Sequence, residues 1–272
     1  MENERKDIRT LAKKYEKLQT LMNYINKETL MQQFGKESSN KASGIDQVTK
    51  DEYGANLEAN IEELLKRMKT FSYRPQPVRR TYIPKANGKL RPLGIPAFED
   101  KLVQGCMAYV LNEIYETKFL DCSYGFRENR NCHMAIEEIN NHIMRNRVNY
   151  ILDCDIKGFF DNVDHNWLVK FLEHDIGDKN FIRYIVRFLK SGIIEDLKYY
   201  DSDKGAPQGG LCRYPHNPPY AELNIMPRIY ITVSNISLFS RHNIPISFLE
   251  NSISFCLYSN LVHQYFDHLP AI

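Results

Sequence analysis

No run of roughly eighteen apolar residues occurs in the chain, so a membrane-spanning helix is not expected. The opening residues, Met1-Glu2-Asn3-Glu4-Arg5-Lys6, are charged with no apolar stretch behind them, which argues against a secretory signal. No two of the six cysteines (Cys106, Cys122, Cys132, Cys154, Cys212 and Cys256) stand in a C-x-x-C pair. A zinc site is therefore not expected, and free thiols in a reducing, cytoplasmic setting are. A strong charge excess is also missing: the net charge is only +2, so any polyanion partner must be read from local distribution.

The sharpest absence is regional. Residues 211–272 contain no Lys and no Gly, and only six charged residues. Six of the twelve prolines fall there and interrupt every candidate helix. Neither a period of 2 nor one of 3.6 is sustained. Two readings follow: an atypical β-rich or poorly ordered tail, or a reading frame that slips near Gly210. The slip is the favoured expectation, for a reason that comes with the motifs below.

Before that break the patterning is regular. Ile8, Leu11, Ala12, Tyr15, Leu18, Leu21, Met22 and Ile25 form a helical stripe, and Leu57, Ile61, Leu64, Leu65 and Met68 another. Residues 78–83 and Leu90–Ile95 read as paired strands, with Asn87-Gly88 suited to the tight turn between them. Further helices are expected over 102–114, 132–143, 167–172 and 181–189, and a short strand over 150–156. The irregular alternation of strands and helices predicts an α+β architecture.

Two stretches point to chemistry. From Lys66 to Arg91 there are nine basic residues (Lys66, Arg67, Lys69, Arg74, Arg79, Arg80, Lys85, Lys89 and Arg91), no acidic ones, and three interleaved aromatics, Phe71, Tyr73 and Tyr82. That mixture suits phosphates and bases, although a solvated basic face would show the same run. A hairpin would hold Lys85 and Arg91 at the sides of its turn, where a point charge and a planar fork could grip a triphosphate. The second stretch runs from Tyr150 to His165. Strand alternation puts Asp153 and Asp155 on one face, where two carboxylates repel unless a cation or a base lies between them. Such a strand end could hold a divalent ion with Asp155 and the next carbonyl, or be an ordinary acidic strand end. Asp164 fits a helix N-cap before Trp167, and Asp161 a turn. His133, His165 and His174 read as surface or capping residues, and the single Trp167 as core.

Six blocks then occur in order: Ser43-Gly44-Ile45-Asp46, Tyr82-Ile83-Pro84-Lys85, Gly88-Lys89-Leu90-Arg91-Pro92-Leu93-Gly94-Ile95-Pro96, Ser123-Tyr124-Gly125-Phe126-Arg127, Asp155-Ile156-Lys157-Gly158-Phe159-Phe160-Asp161 and Gly205-Ala206-Pro207-Gln208-Gly209-Gly210. Together they resemble the successive blocks of group II intron reverse transcriptase/maturases, over roughly residues 40–210. The resemblance implies a right-hand polymerase: an N-terminal helical extension over 1–40, fingers over 41–150, a partial palm over 151–210 and the atypical tail after it. It implies RNA-directed DNA synthesis on an intron RNA template with a DNA primer and deoxynucleoside triphosphates, and a possible maturase role; a non-catalytic RNA-binding module and a non-functional fragment are the alternatives.

By the same resemblance Asp155 is the catalytic carboxylate that binds Mg2+ or Mn2+, with Ile156 giving a carbonyl ligand. Phe160 tests the sugar 2′ position. Lys85 and Arg91 hold the triphosphate. Pro207, Gln208 and Gly209 lie beside the nascent base pair. Arg127 and Arg130 resemble fingers residues near the template; Arg79 and Arg80, from the basic hairpin, are further candidate nucleic-acid contacts. Two metal ions about 4 Å apart need carboxylates from a second place in the chain, a paired-aspartate hairpin beyond Gln208. No Asp-Asp pair occurs in the 272 residues. The resemblance ends where the composition changes, which is why a frame slip is favoured and negligible polymerase activity expected.

Overall fold

The computed structural model describes residues 2–84, 88, 90–125, 127–146 and 159–205, the side chains of 2–6 and 159–160 excepted. The strand expected over 150–156 and the segment 211–272 lie outside the described residues. In chain order the elements are α1 (Glu2–Lys14), α2 (Lys27–Lys36), α3 (Lys50–Gly54), α4 (Leu57–Lys69), β1 (Val78–Pro84), β2 (Leu90–Ile95), α5 (Phe98–Tyr115), α6 (Cys132–Arg145), α7 (Phe159–Asn162), α8 (His165–Asp175), α9 (Lys179–Leu189), β3 (Ile193–Glu195) and β4 (Lys198–Tyr200), with a 3-10 turn at Leu21–Tyr24. This is the expected α+β class. The described residues fall into two compact units, α6 and its flanking loops (118–146) forming one and the remaining elements the other.

The larger unit is built around α5. Leu102, Val103, Cys106, Met107, Val110, Leu111 and Ile114 are all buried, and so are Asp100, Gln104 and Glu113 on other faces of the same helix. A helix buried all round belongs at the centre of a core, and α1 and α2 pack against it. Each fully buried aliphatic side chain contributes roughly 1.5–3 kcal/mol. The buried Glu113 carboxylate is tolerated because Arg9 on α1 reaches it.

A second seam joins α4 to α9. Phe181, Ile182, Tyr184, Ile185, Phe188 and Leu189 give α9 one strongly apolar face. The buried Tyr73, just after α4, meets the rings of Tyr184 and Phe188 at 5.9 and 6.4 Å between centroids. The Tyr184 hydroxyl donates to the Met68 carbonyl at 2.8 Å, and Arg187 donates to the Tyr73 carbonyl at 2.8 Å. The Met68 carbonyl lies in the last turn of α4, where helical partners run out, and the Tyr73 carbonyl in the loop that follows.

Three expectations are corrected. The apolar stripe from Ile8 to Ile25 is not one helix: α1 stops at Lys14, and Leu18 instead forms a parallel bridge with Ile176. The Leu18 amide donates to the Asp175 carbonyl at 2.8 Å and the Gly177 amide to the Leu18 carbonyl at 2.7 Å. Asp178, the N-cap of α9, also accepts from the Met22 amide at 2.9 Å. Leu18, Leu21 and Ile25 are still buried, but by long-range pairing that local periodicity cannot report. Trp167 is 43% exposed, with the Lys170 ammonium 4.4 Å from its ring centroid. It lies off the α8 stripe of His165, Leu168, Leu172 and Asp175 that faces the core. His165 is accordingly buried rather than at the surface.

The sheet has the order β2-β1-β3-β4. β1 and β2 form the expected antiparallel hairpin, with Gly88 at φ 75°, a left-handed conformation that glycine adopts without strain. The strands β3 and β4 were not expected. They have three residues each and are joined through Asp196 and Leu197, both at positive φ, a pair with no turn signature. β3 pairs in parallel with β1, Val78 opposite Ile193 and Arg79 opposite Ile194.

Candidate nucleic-acid interface

The register of the hairpin sorts its side chains. Arg80 lies opposite Gly94 and Tyr82 opposite Pro92, while Arg79 lies opposite Ile95, Thr81 opposite Leu93 and Ile83 opposite Arg91. Strand alternation therefore puts Arg80 and Tyr82 on one face, and Arg79 and Arg91 on the other. The nine basic residues of 66–91 do not act as one patch. Arg67 makes a forked bond to Glu99 on α5, 2.7 Å to each carboxylate oxygen, and lies over the Tyr73 ring at 5.8 Å. Arg79 donates to the Ser43 carbonyl at 2.7 Å. Arg80 lies 3.5 Å from the Glu195 carboxylate, which also accepts the Tyr82 hydroxyl. That bond holds the Tyr82 phenol above its ordinary titration range. Lys69, Arg74 and Arg91 have exposed side chains. Of the three arginines of this stretch expected to meet nucleotide or nucleic acid, Arg91 is exposed, and Arg79 and Arg80 are held by Ser43 and Glu195.

The block Ser43–Asp46 is likewise structural. Asp46 accepts from the Val48 amide at 3.3 Å and, with its second oxygen, from the Phe98 amide at 3.1 Å. The residue before α5 is Ala97, which has no side-chain oxygen, so Asp46 satisfies a helix-end amide from a distant part of the chain. Gly44 makes this possible: a Cβ there would lie 2.4 Å from the Pro96 carbonyl oxygen and 2.5 Å from the Ala97 Cα. Lys101 donates to the Ala42 carbonyl at 2.8 Å, and with Arg79 it pins the loop from both sides.

Where α4, β1 and α5 meet, Asp100 is buried and accepts the Tyr73 hydroxyl and, at 2.8 Å, the Gln76 amide. Burial pushes its carboxyl up to about 7, against the opposing pull of those two hydrogen bonds.

In the smaller unit, Arg127 is buried and donates to the carbonyls of Leu120 and Ser123 at 2.7 and 2.9 Å, with its guanidinium 5.2 Å from the Phe119 ring centroid. Arg130 donates to Asp121 at 3.0 Å and lies 5.1 Å from the Tyr124 ring centroid. Both brace the loop before α6. Asn131 caps that helix by accepting from the Met134 amide at 3.0 Å.

Lys85, Asp155, Ile156, Pro207, Gln208 and Gly209 lie outside the described residues, as does the side chain of Phe160, whose backbone opens α7. What is described is the frame on either side of them. Asp164 accepts from the Trp167 amide at 2.9 Å, the expected N-cap of α8. Asp161 lies in the first turn of α7, not in a free turn. The Gly205 amide donates to the Val163 carbonyl at 2.8 Å, and Asp164 and Lys204 form an antiparallel bridge. His165 Nε2 lies 2.6 Å from the Gly205 carbonyl oxygen. Sequence reading passed over His165 and Gly205 as a pair because a contact forty residues long leaves no local signature. Among the described residues no group of three His, Cys, Asp or Glu could hold a metal ion, and no helix is long and apolar enough to cross a membrane.

Residues 83–212 match the family described as reverse transcriptase (RNA-dependent DNA polymerase). The match takes in every candidate residue from Lys85 to Gly209. The group II intron-encoded protein LtrA of Lactococcus lactis subsp. cremoris is 40% identical over 174 residues, 64% of this chain and 29% of that protein. Protein YkfC of Escherichia coli (strain K12) is 36% identical over 171 residues, 62% of this chain and 45% of that protein. A chain of a partial Cas6-RT-Cas1--Cas2 complex is more distant, at 19% identity and a TM-score of 0.48, covering 76% of this chain and 34% of its own. Over about two thirds of its length the chain is similar to group II intron-encoded proteins, and it spans less than half the length of either curated relative.

Proposed function

We propose that this chain is the fingers and first palm segment of an RNA-directed DNA polymerase of the group II intron type. The observation that supports this most is the family match over 83–212, which contains Asp155, Arg91 and Gln208 in one continuous alignment. In this reading Arg91, exposed on the hairpin, and Lys85 hold the triphosphate of a deoxynucleotide. Phe160 closes the space a 2′-hydroxyl would need, and Pro207, Gln208 and Gly209 support the new base pair. Arg127 and Arg130 keep the loop before α6 in shape beside the template. Asp155 and the Ile156 carbonyl offer hard oxygen ligands, which suit Mg2+ or Mn2+. When bound, such a metal stabilises charge on the attacking and leaving oxygens of phosphoryl transfer.

These 272 residues contain no Asp-Asp pair to complete a second set of ligands. Loss of a metal is worth several kcal/mol of transition-state stabilisation, or on the order of a thousandfold in rate. Primer extension on an RNA template with Mg2+ is therefore expected to be negligible, and extension abolished by Asp155→Ala would overturn that expectation. The second reading is an RNA-binding module without synthesis. Both readings give RNA affinity that falls with salt. Tight Mg2+-dependent deoxynucleotide binding selects the polymerase reading, and RNA binding without it selects the module.

A further inference from the structure

We propose that His165 is a positioning residue: its Nε2–H holds the Gly205 carbonyl and so fixes the direction in which the chain passes from Gly205 to Ala206. This rests on the polymerase reading for its functional meaning, since Gln208 follows three residues on.

Two contacts tie the segments together. The Gly205 amide reaches the Val163 carbonyl at 2.8 Å, within the Asp164–Lys204 bridge, and His165 Nε2 lies 2.6 Å from the Gly205 carbonyl oxygen. Both the N–H and the C=O of Gly205 are thus held by one short stretch, 163–165. Gly205 is buried, with φ 81°, a conformation in which an L side chain is strained.

A carbonyl accepts, so His165 donates from Nε2. Among the described residues the buried Nδ1 has no hydrogen-bond partner. An orphaned polar atom is a cost to stability. A residue present only to fill the core would avoid that cost with an apolar side chain. The ring is explained by its donor: it is the second fixed point on Gly205, the residue before Ala206-Pro207-Gln208. On the other side, 163–165 follows α7, which begins with Phe159 and Phe160. His165 therefore links the stretch after Phe160 to the stretch before Gln208, two residues whose spacing a nucleotide site would need fixed.

The test uses the full chain and three variants. His165→Phe keeps the ring volume and removes the donor, His165→Gln restores an N–H donor on a side chain of similar reach, and His165→Ala removes both. Amide hydrogen exchange is followed by peptide, with thermal melting as a control for global folding. The expected result is about tenfold faster exchange in peptides covering 201–210 for Phe and Ala, a fold-change that corresponds to about 1.4 kcal/mol. Exchange in α5 and α9 should be unchanged, and Gln should recover most of the protection. Equal exchange in wild type and His165→Phe, or faster exchange spread over α5 and α9 alike, would overturn the proposal. Binding of a deoxynucleotide with Mg2+ separates the two layers. If wild type binds and Phe weakens binding while Gln restores it, positioning of the nucleotide site is supported. If wild type shows no binding, the polymerase reading fails, while the exchange data still decide whether His165 holds Gly205.

Discussion

The α4–α9 seam and the β1–β2 hairpin draw on the same basic stretch and use it in opposite ways. At the seam, Arg67 is clamped by Glu99, and Arg187 from α9 caps the Tyr73 carbonyl. Their charges serve packing. On the hairpin, Arg79 and Arg80 sit beside partners supplied by distant segments, Ser43 and Glu195, and Arg91 is exposed. A run of positive charge in a sequence is therefore a mixed population, which burial and partner divide.

The comparison can be broken most easily at the seam's support. Gly44→Val, with a Cβ inside the van der Waals radius of Pro96 and Ala97 backbone, should lower unfolding free energy by about 3 kcal/mol or more in chemical denaturation. Leu102→Ala in the centre of α5 should cost about 2–5 kcal/mol by the same measurement. A loss below about 1 kcal/mol for either would mean that the hairpin does not rest on an α5-centred core.

A pH series sharpens the seam further. The folded Asp100 keeps its proton up to about 7, whereas the unfolded chain loses it near the ordinary carboxylate value. The native state then binds more protons across that window, so this group's contribution to stability is largest below about pH 4, declines as pH rises, and levels off above about 7. Asp100→Asn should flatten that part of the profile, and an unchanged slope would count against a buried, proton-holding Asp100. The smallest structural effect belongs to the hairpin: Arg91→Ala should leave stability within about 0.5 kcal/mol. RNA or deoxynucleotide affinity should nevertheless fall about tenfold, the loss of one charge-assisted contact. A stability loss as large as that of Leu102→Ala would place Arg91 with the seam instead.

Much of this was legible beforehand. The helices α4, α5, α6, α8 and α9 and the hairpin follow from local periodicity and a turn dipeptide, and Asp164 capped α8 as its position before Trp167 suggested. The misreadings share one cause. The stripe from Ile8 to Ile25 is apolar at helical spacing, yet Leu18 pairs with Ile176. The strand β3 has two adjacent isoleucines and no alternation, yet it completes a sheet with β1. Trp167 is large and apolar, yet α8 turns another face inward. In each case the deciding contact joins residues far apart in the chain.

The sequence alone carried the resemblance to a family, through six short blocks in order, and determined the element types wherever a period of 2 or 3.6 was sustained. It also determined the absence of an aspartate pair, since that is a matter of composition. Tertiary structure decided which arginines remain exposed, that Asp46 caps a helix it does not adjoin, and that His165 grips Gly205. Those outcomes depend on hydrogen-bond partners and burial supplied across long loops, and a backbone amide or guanidinium has no way to announce in the sequence which distant oxygen will satisfy it.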